Sequence, residues 1–337
     1  MANDSFFCNA TCDRPEMHPY HHFTWGYVIY TAQGITFGLA NFLVFCTILK
    51  HPILRWRKEY LMVAFDALAD VINEIAFAEA GIYRYVLIEN GRAKDCRSPF
   101  QCITTPHGLV WSLSFPLVYF MLLCISIDRF VFVVKPLNYK EMSVKYSFLM
   151  AGSFYVVSFV NAVLSVGLSY LLSQEQKCPD VEALCLFDHA LGPNMFYVFT
   201  VLQLSCSCAS VLIYAVIPFI YKRQVKRLNS MGIYGKIELN YLQENKRLLV
   251  TLGLSSVFTF IFMVVPCVAR LVLHNRMGLE AFPWAGIIMN INPVVNTFLF
   301  VFRHRQFRQS FLSLLTCKPL DINNLRYSTV ASNDSQS

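Results

Sequence analysis

Seven separate runs of mostly apolar residues, each about 20 or more long, leave this chain little choice of fold. A helix rising 1.5 Å per residue needs roughly 20 residues to cross about 30 Å of hydrocarbon. The runs are Trp25–Leu49, Tyr60–Tyr83, Thr104–Val134, Ser147–Leu172, Met195–Tyr221, Leu248–Leu273 and Trp284–Phe302. Inside lipid each backbone N–H and C=O must be paired within the protein, so single runs of this length fold as helices. The expected fold is an all-α membrane protein, a seven-transmembrane helix bundle over residues 25–302. The second run is the least apolar, holding Asp66, Asp70, Asn73, Glu74 and Glu79, and the seventh is the shortest.

Composition points the same way. Only 15% of residues are charged, against about 25% in ordinary soluble chains. A net charge of +7 could suggest a nucleic-acid partner, but the basic residues sit in short stretches between apolar runs. That placement predicts membrane lipid as the partner and no nucleic acid. Lys and Arg concentrate on one side: Lys50, Arg55, Arg57 and Lys58, then Lys135, Lys140 and Lys145, then Lys222 to Arg227 and the segment after the last run. Basic loops face the cytoplasm, so the N-terminal 1–24 segment is expected outside, at the plasma membrane. It is polar, holds Pro15 and Pro19, and lacks an apolar run of leader length. Asn3 and Asn9 there stand in glycosylation acceptor patterns. After the last run, Phe300, Phe307, Phe311 and Leu314 recur at helical spacing among arginines, which predicts an amphipathic helix on the inner leaflet over 303–316. Cys317 at its end is a palmitoylation candidate, and 317–337 reads as a disordered tail.

The third run ends in Asp128-Arg129-Phe130, followed by Pro136-Leu137-Asn138-Tyr139. An acid beside an arginine at a helix end can hold the guanidinium by a local ion pair, releasable when neighbouring helices part. Pro136 stops the helix, because it lacks a backbone N–H and restricts the residue before it. The string resembles the Asp-Arg-Tyr and Pro-Leu-x-Tyr signature of rhodopsin-like G-protein-coupled receptors, with Phe130 in place of Tyr. The resemblance implies that Arg129 is the activation arginine and that Leu137 meets a heterotrimeric G protein.

Other runs can be set against that family. Asn41 resembles its first-helix asparagine and Asp70 its second-helix aspartate, and an ionisable group in mid-membrane is by default functional. Pro266 matches the kink of helix six, but the usual preceding Trp is absent; Phe260 and Phe262 are the aromatic residues nearby. Helix seven offers two registers for Asn-Pro-x-x-Tyr: Asn292-Pro293-Val294-Val295-Asn296, or Asn296-Thr297-Phe298-Leu299-Phe300. The second restores the usual distance to the tail helix and is preferred; both place Asn292 and Asn296 toward Asp70.

On the opposite side, Cys96, Cys102, Cys178 and Cys185 lie in polar segments and allow three pairings. The resemblance favours Cys102 to Cys185, with Cys96 and Cys178 as the second pair. A receptor fold would open a ligand pocket outward, with Trp111 and Phe115 facing it, Glu79 and Arg270 near its rim and Gln203 as a polar contact. Trp111 stands where amine receptors carry an aspartate, which argues against an amine ligand.

The ending of helix seven and the missing Trp are similar to nematode serpentine chemoreceptors, implying a chemosensory, odorant-type receptor of sensory cilia for a small molecule. A neuropeptide receptor is the rival within the class. A channel or transporter is the rival outside it, although the charged positions crowd into the second run rather than forming a stripe along several. An enzyme is not expected, since Asp66, Asp70 and Glu74 share one helix; neither is a cofactor. His18, His21 and His22 near Cys8 and Cys12 read as a solvated segment rather than a metal site.

Overall fold

The computed structural model describes residues 24–93, 95–175, 181–230, 239, 242, 246–273, 281–303 and 305–316. Asn3, Asn9, Cys178 and Cys317 therefore lie outside the described residues. Seven long helices pack side by side: helix one Thr24–Lys50, helix two Lys58–Glu89, helix three Pro106–Val134, helix four Val144–Glu175 and helix five Pro193–Asn229. Helix six runs from Lys246 to Leu273 and helix seven from Ala281 to Arg303, each in pieces. Among the described residues, six of the seven are long and apolar enough to cross a membrane. Helix two is the other, and its acidic side chains, not its length, set it apart. Helix eight, Arg305–Thr316, follows the bundle.

The elements begin and end where local chemistry dictates. Helix three starts with Thr105 as N-cap, its hydroxyl accepting from Gly108 N at 3.3 Å, and with Pro106 in the first turn. It ends at Val134, just before Pro136 opens a one-turn helix, Pro136–Glu141. Helix six contains a π-helical stretch, Phe260–Val264, immediately ahead of Pro266. Such a bulge absorbs the backbone disruption that proline brings to a helix interior. Helix seven breaks at Asn290, between Ala281–Met289 and Ile291–Arg303.

Helices in lipid gain little from burying apolar surface against each other, so close backbone approach matters more. Helices one and two show this at Gly34 and Gly81. A Cβ on Gly34 would lie 2.6 Å from Glu74 O, and one on Gly81 would lie 2.6 Å from Tyr27 O. Helix four turns Leu149, Phe159 and Leu164 outward, as a lipid-facing surface would. The bundle has two distinct ends. One carries the basic loops; the other carries a small antiparallel pair, β1 Cys96–Arg97 with β2 Val181–Glu182.

Helix eight folds back onto the basic end. Phe307 is fully buried, and its ring lies 4.9 Å from that of Phe300. His51, in the turn between helices one and two, hydrogen-bonds Ser310 O at 3.0 Å.

Candidate functional site

At the basic end, Asp128 and Arg129 are buried and ion-paired with each other. Tyr139, from the short helix after Pro136, closes the pair. Its hydroxyl donates to Asp128 Oδ2 at 3.1 Å, and Arg129 Nη2 donates to that hydroxyl at 3.1 Å. Burial pushes the Tyr139 phenol well above its ordinary range, so it stays a neutral donor. Lys58, at the start of helix two, donates to the backbone carbonyls of Tyr139 and Met142 and lies 4.0 Å over the Tyr139 ring. Sequence reasoning treated Lys58 only as one of several basic loop residues; its partners come from 81 and more positions away. Phe130 faces outward, Pro136 is buried and Leu137 is half-buried. Of the six motif residues, the fold thus brings Asp128, Arg129 and Tyr139 into one cluster.

In mid-bundle, Asn41 and Asp70 are buried, and Thr297 donates to Asn41 Oδ1 at 2.6 Å. A cavity of about 50 Å³ is lined by Asn41, Asp66, Asp70, Ser255, Asn296 and Thr297 among others. Asn292 departs from the expectation that it faces Asp70. Its side chain bonds helix six instead, accepting from Thr259 Oγ1 at 3.1 Å and donating to Met263 Sδ at 3.4 Å. One turn along, Asn296 accepts from Ser255 Oγ at 2.5 Å. The reason is geometric: Ser255 and Thr259 repeat at the same four-residue interval as Asn296 and Asn292, so the two faces mesh. In the second register Phe300 holds the Tyr position, and Phe300 is the residue packed on Phe307 and on Tyr60, at 5.8 Å.

Near the helix-six kink, Pro266 is buried. Phe260 is exposed, and Phe262 stacks on Phe258 at 6.2 Å, so Met263 and Val264 are the buried residues there. A further pair was not anticipated: Glu74 is fully buried, and Asn290, at the break in helix seven, donates to its Oε2 at 2.8 Å.

At the other end a disulfide joins Cys102 to Cys185, as the resemblance implied. Cys96 is also disulfide-bonded. The segment from Val181 to Leu191 forms a lid over helices two, three and five. Phe187 from this lid stands 6.1 Å from Trp111, 5.6 Å from Phe115 and 6.0 Å from Phe199, ring to ring. Trp111 and Phe115 therefore lie beneath a protein ring. Gln203 is buried between helices five, six and seven, reaching Met289 Sδ at 3.9 Å and Cys267 Sγ at 4.0 Å. Glu79 is half-buried, and the side chain of Arg270 lies outside the described residues. Among the described residues, no three His, Cys, Asp or Glu side chains gather as a metal set.

Arg84 holds the lid down and was missed. It is buried, donating from Nε to Leu184 O at 2.9 Å and from Nη2 to Cys185 O at 3.1 Å. Cys185 has a φ of 48°, uncommon for a residue with a side chain, so its backbone is held in place by these neighbours. The available signal was a lone arginine among apolar residues near the end of helix two, which is by default functional.

The family described as "7 transmembrane receptor (rhodopsin family)" matches residues 40–299. Similar curated proteins include human adenosine receptor A2a, 24% identical over 305 residues, covering 82% of this chain and 68% of that one. The dog adenosine receptor A2a is 23% identical over 319 residues, covering 87% and 72%. The family match extends over well more than half of the 337 residues, from Ala40 in helix one to Leu299 in helix seven. This chain therefore belongs to the rhodopsin family of seven-transmembrane receptors.

Proposed function

We propose that this receptor binds a small molecule at its disulfide-bearing end, outside the cell, and activates a heterotrimeric G protein at its basic end. The chain is a receptor rather than an enzyme. The observation that carries the reading is the buried Asp128–Arg129–Tyr139 cluster, which keeps the guanidinium occupied until helices move. Separation of the helices would release Arg129 to donate to a partner, and an exchange of buried partners of this kind is two-state. The basic loops around it suit the inner leaflet.

A small ligand fits the lid, whose Phe187 leaves Trp111 and Phe115 under cover rather than in an open trough. The relatives named for adenosine support a small molecule as well. Within that class we favour an environmental chemical sensed by a chemosensory cell, on the altered helix-seven ending and the Val264 that replaces the usual Trp.

Nucleotide exchange on a reconstituted G protein tests this directly. Membranes bearing the wild type, exposed to panels of odorants, nucleosides and peptides, should accelerate exchange, and Arg129→Ala should abolish the acceleration. A ligand-evoked current that persists in Arg129→Ala without G protein would point to a channel and overturn the reading.

A further inference from the structure

Arg84 lacks the partner that a buried arginine ordinarily has. Among the described residues no carboxylate lies within ion-pair distance of it, and its bonds go to two carbonyl oxygens only. The lid also carries a buried acid, Glu182, which is engaged in an interaction of its own. A buried charge without a counter-charge is costly, and in proteins such a group is normally compensated.

A donor beside it has no acceptor at all among the described residues. The Trp111 indole Nε1 is buried and has no acceptor, and Arg84 Cζ lies 5.1 Å from the Trp111 ring centroid. Guanidinium and indole N–H groups can only donate. An indole N–H without an acceptor, beside a guanidinium that has carbonyl partners but no acid among the described residues, calls for an oxygen-rich acceptor from elsewhere. A row of rings runs from Trp111 to a second cation, Arg97. Trp111 meets His107 at 6.1 Å, His107 meets Tyr83 at 4.7 Å, and Arg97 lies 5.7 Å over Tyr83. Arg97, on β1, likewise has no acid within ion-pair distance among the described residues, while the neighbouring Asp95 is paired with Arg92.

We propose that Arg84 and Trp111 form the anion-recognising part of the ligand site, and that the ligand is a small organic acid. Its carboxylate accepts from the Arg84 guanidinium and the Trp111 N–H, and its apolar body lies among Trp111, Phe77 and Phe187. Arg97 at the outer end of the row draws the anion inward. This inference deepens the small-molecule reading above and rests on it. The carboxylate could belong to a free acid or to the C-terminus of a short peptide; the lid favours the former.

The test uses the full chain in lipid nanodiscs and reads thermal stabilisation by matched probes. The pairs are benzoate with benzamide, hexanoate with hexanamide, indole-3-acetate with indole-3-acetamide, and a tetrapeptide acid with its amidated form. At least one acid should stabilise the protein at a concentration about tenfold below its amide, as a charge-assisted bond would give. Arg84→Gln should erase that preference, Arg84→Lys should retain part of it, and Trp111→Phe should narrow it several-fold. A preference confined to the peptide pair supports the carboxylate site and assigns it to a peptide end. Should Arg84→Gln fail to fold, Arg84→Lys and Trp111→Phe still decide. An acid–amide preference absent from every pair, or one undiminished in the variants, overturns the inference. A purely structural Arg84 would lower the midpoint without touching the acid–amide ratio. Ligand-driven exchange without such a preference defeats this inference alone, while the preference without exchange defeats the receptor reading alone.

Discussion

Two buried arginines sit at opposite ends of the bundle, and they are satisfied in different ways. Arg129 has a carboxylate beside it in sequence and a tyrosine hydroxyl across the turn. Arg84 has two lid carbonyls and the faces of Tyr27 and Trp111, at 5.6 Å and 5.1 Å, and no acid within ion-pair distance among the described residues. The charge of Arg129 is therefore paired, although its Nε and Asp128 Oδ1 have no hydrogen-bond partner among the described residues, whereas Arg84 is met there by carbonyl oxygens and ring faces. A receptor at rest is expected to look like this: its output groups hold one another, and its input groups lack a partner that the ligand supplies.

The largest expected effect lies in removing either arginine. Arg129→Ala strands the buried Asp128 and should cost about 3–5 kcal/mol of stability. Arg84→Ala strands only the Leu184 and Cys185 carbonyls and should cost about 1–3 kcal/mol. Thermal midpoints of the two purified variants compare them, and equal losses would break the contrast between the ends.

A smaller effect is expected at Tyr139, which bridges the closed pair. Tyr139→Phe removes a hydroxyl that both donates and accepts, at a cost of about 1–2 kcal/mol. Basal, ligand-free nucleotide exchange should rise several-fold. Unchanged basal exchange would mean that the hydroxyl does not restrain Arg129.

The smallest effect concerns how firmly the basic end is tied down. Burial holds the His51 imidazole below its ordinary value of 6.5, with the Ser310 carbonyl opposing that shift. The neutral ring is favoured in the folded state, so its contribution is complete above about pH 6.5 and declines as pH falls below it. Lowering pH from 7.5 to about 5.5 should loosen helix eight, seen as faster hydrogen exchange at residues 307–314. His51→Gln should flatten that pH dependence; an unaltered profile in His51→Gln would assign it to another group.

Much of this was legible before any coordinates. The seven apolar runs, the stop at Pro136, the amphipathic spacing of Phe307 and Phe311, and the adjacent Asp128 and Arg129 are local patterns. Each is governed by neighbours within a few turns, and local rules read them well. Arg84, Lys58 and the Glu74–Asn290 pair were not legible as site residues. Their partners stand 81 to 216 positions away, and nothing in the residue itself names a partner at that distance. Asn292 shows the same limit from the other side. Its residue type and depth were readable, but the mesh of helix seven with Ser255 and Thr259 decided which neighbour it bonds.

The sequence by itself thus determined that the chain forms seven spanning helices and that one arginine beside an acid ends the third, because lipid forces backbone pairing within each run and sequence neighbours stay neighbours. Only the tertiary structure decided which charges are answered and which are left open. Arg129 closes on a residue one position away, whereas Arg84 depends on a lid that reaches it from 100 positions further along. What that lid brings to Arg84 is a matter of packing, and among the described residues it brings the Leu184 and Cys185 carbonyl oxygens.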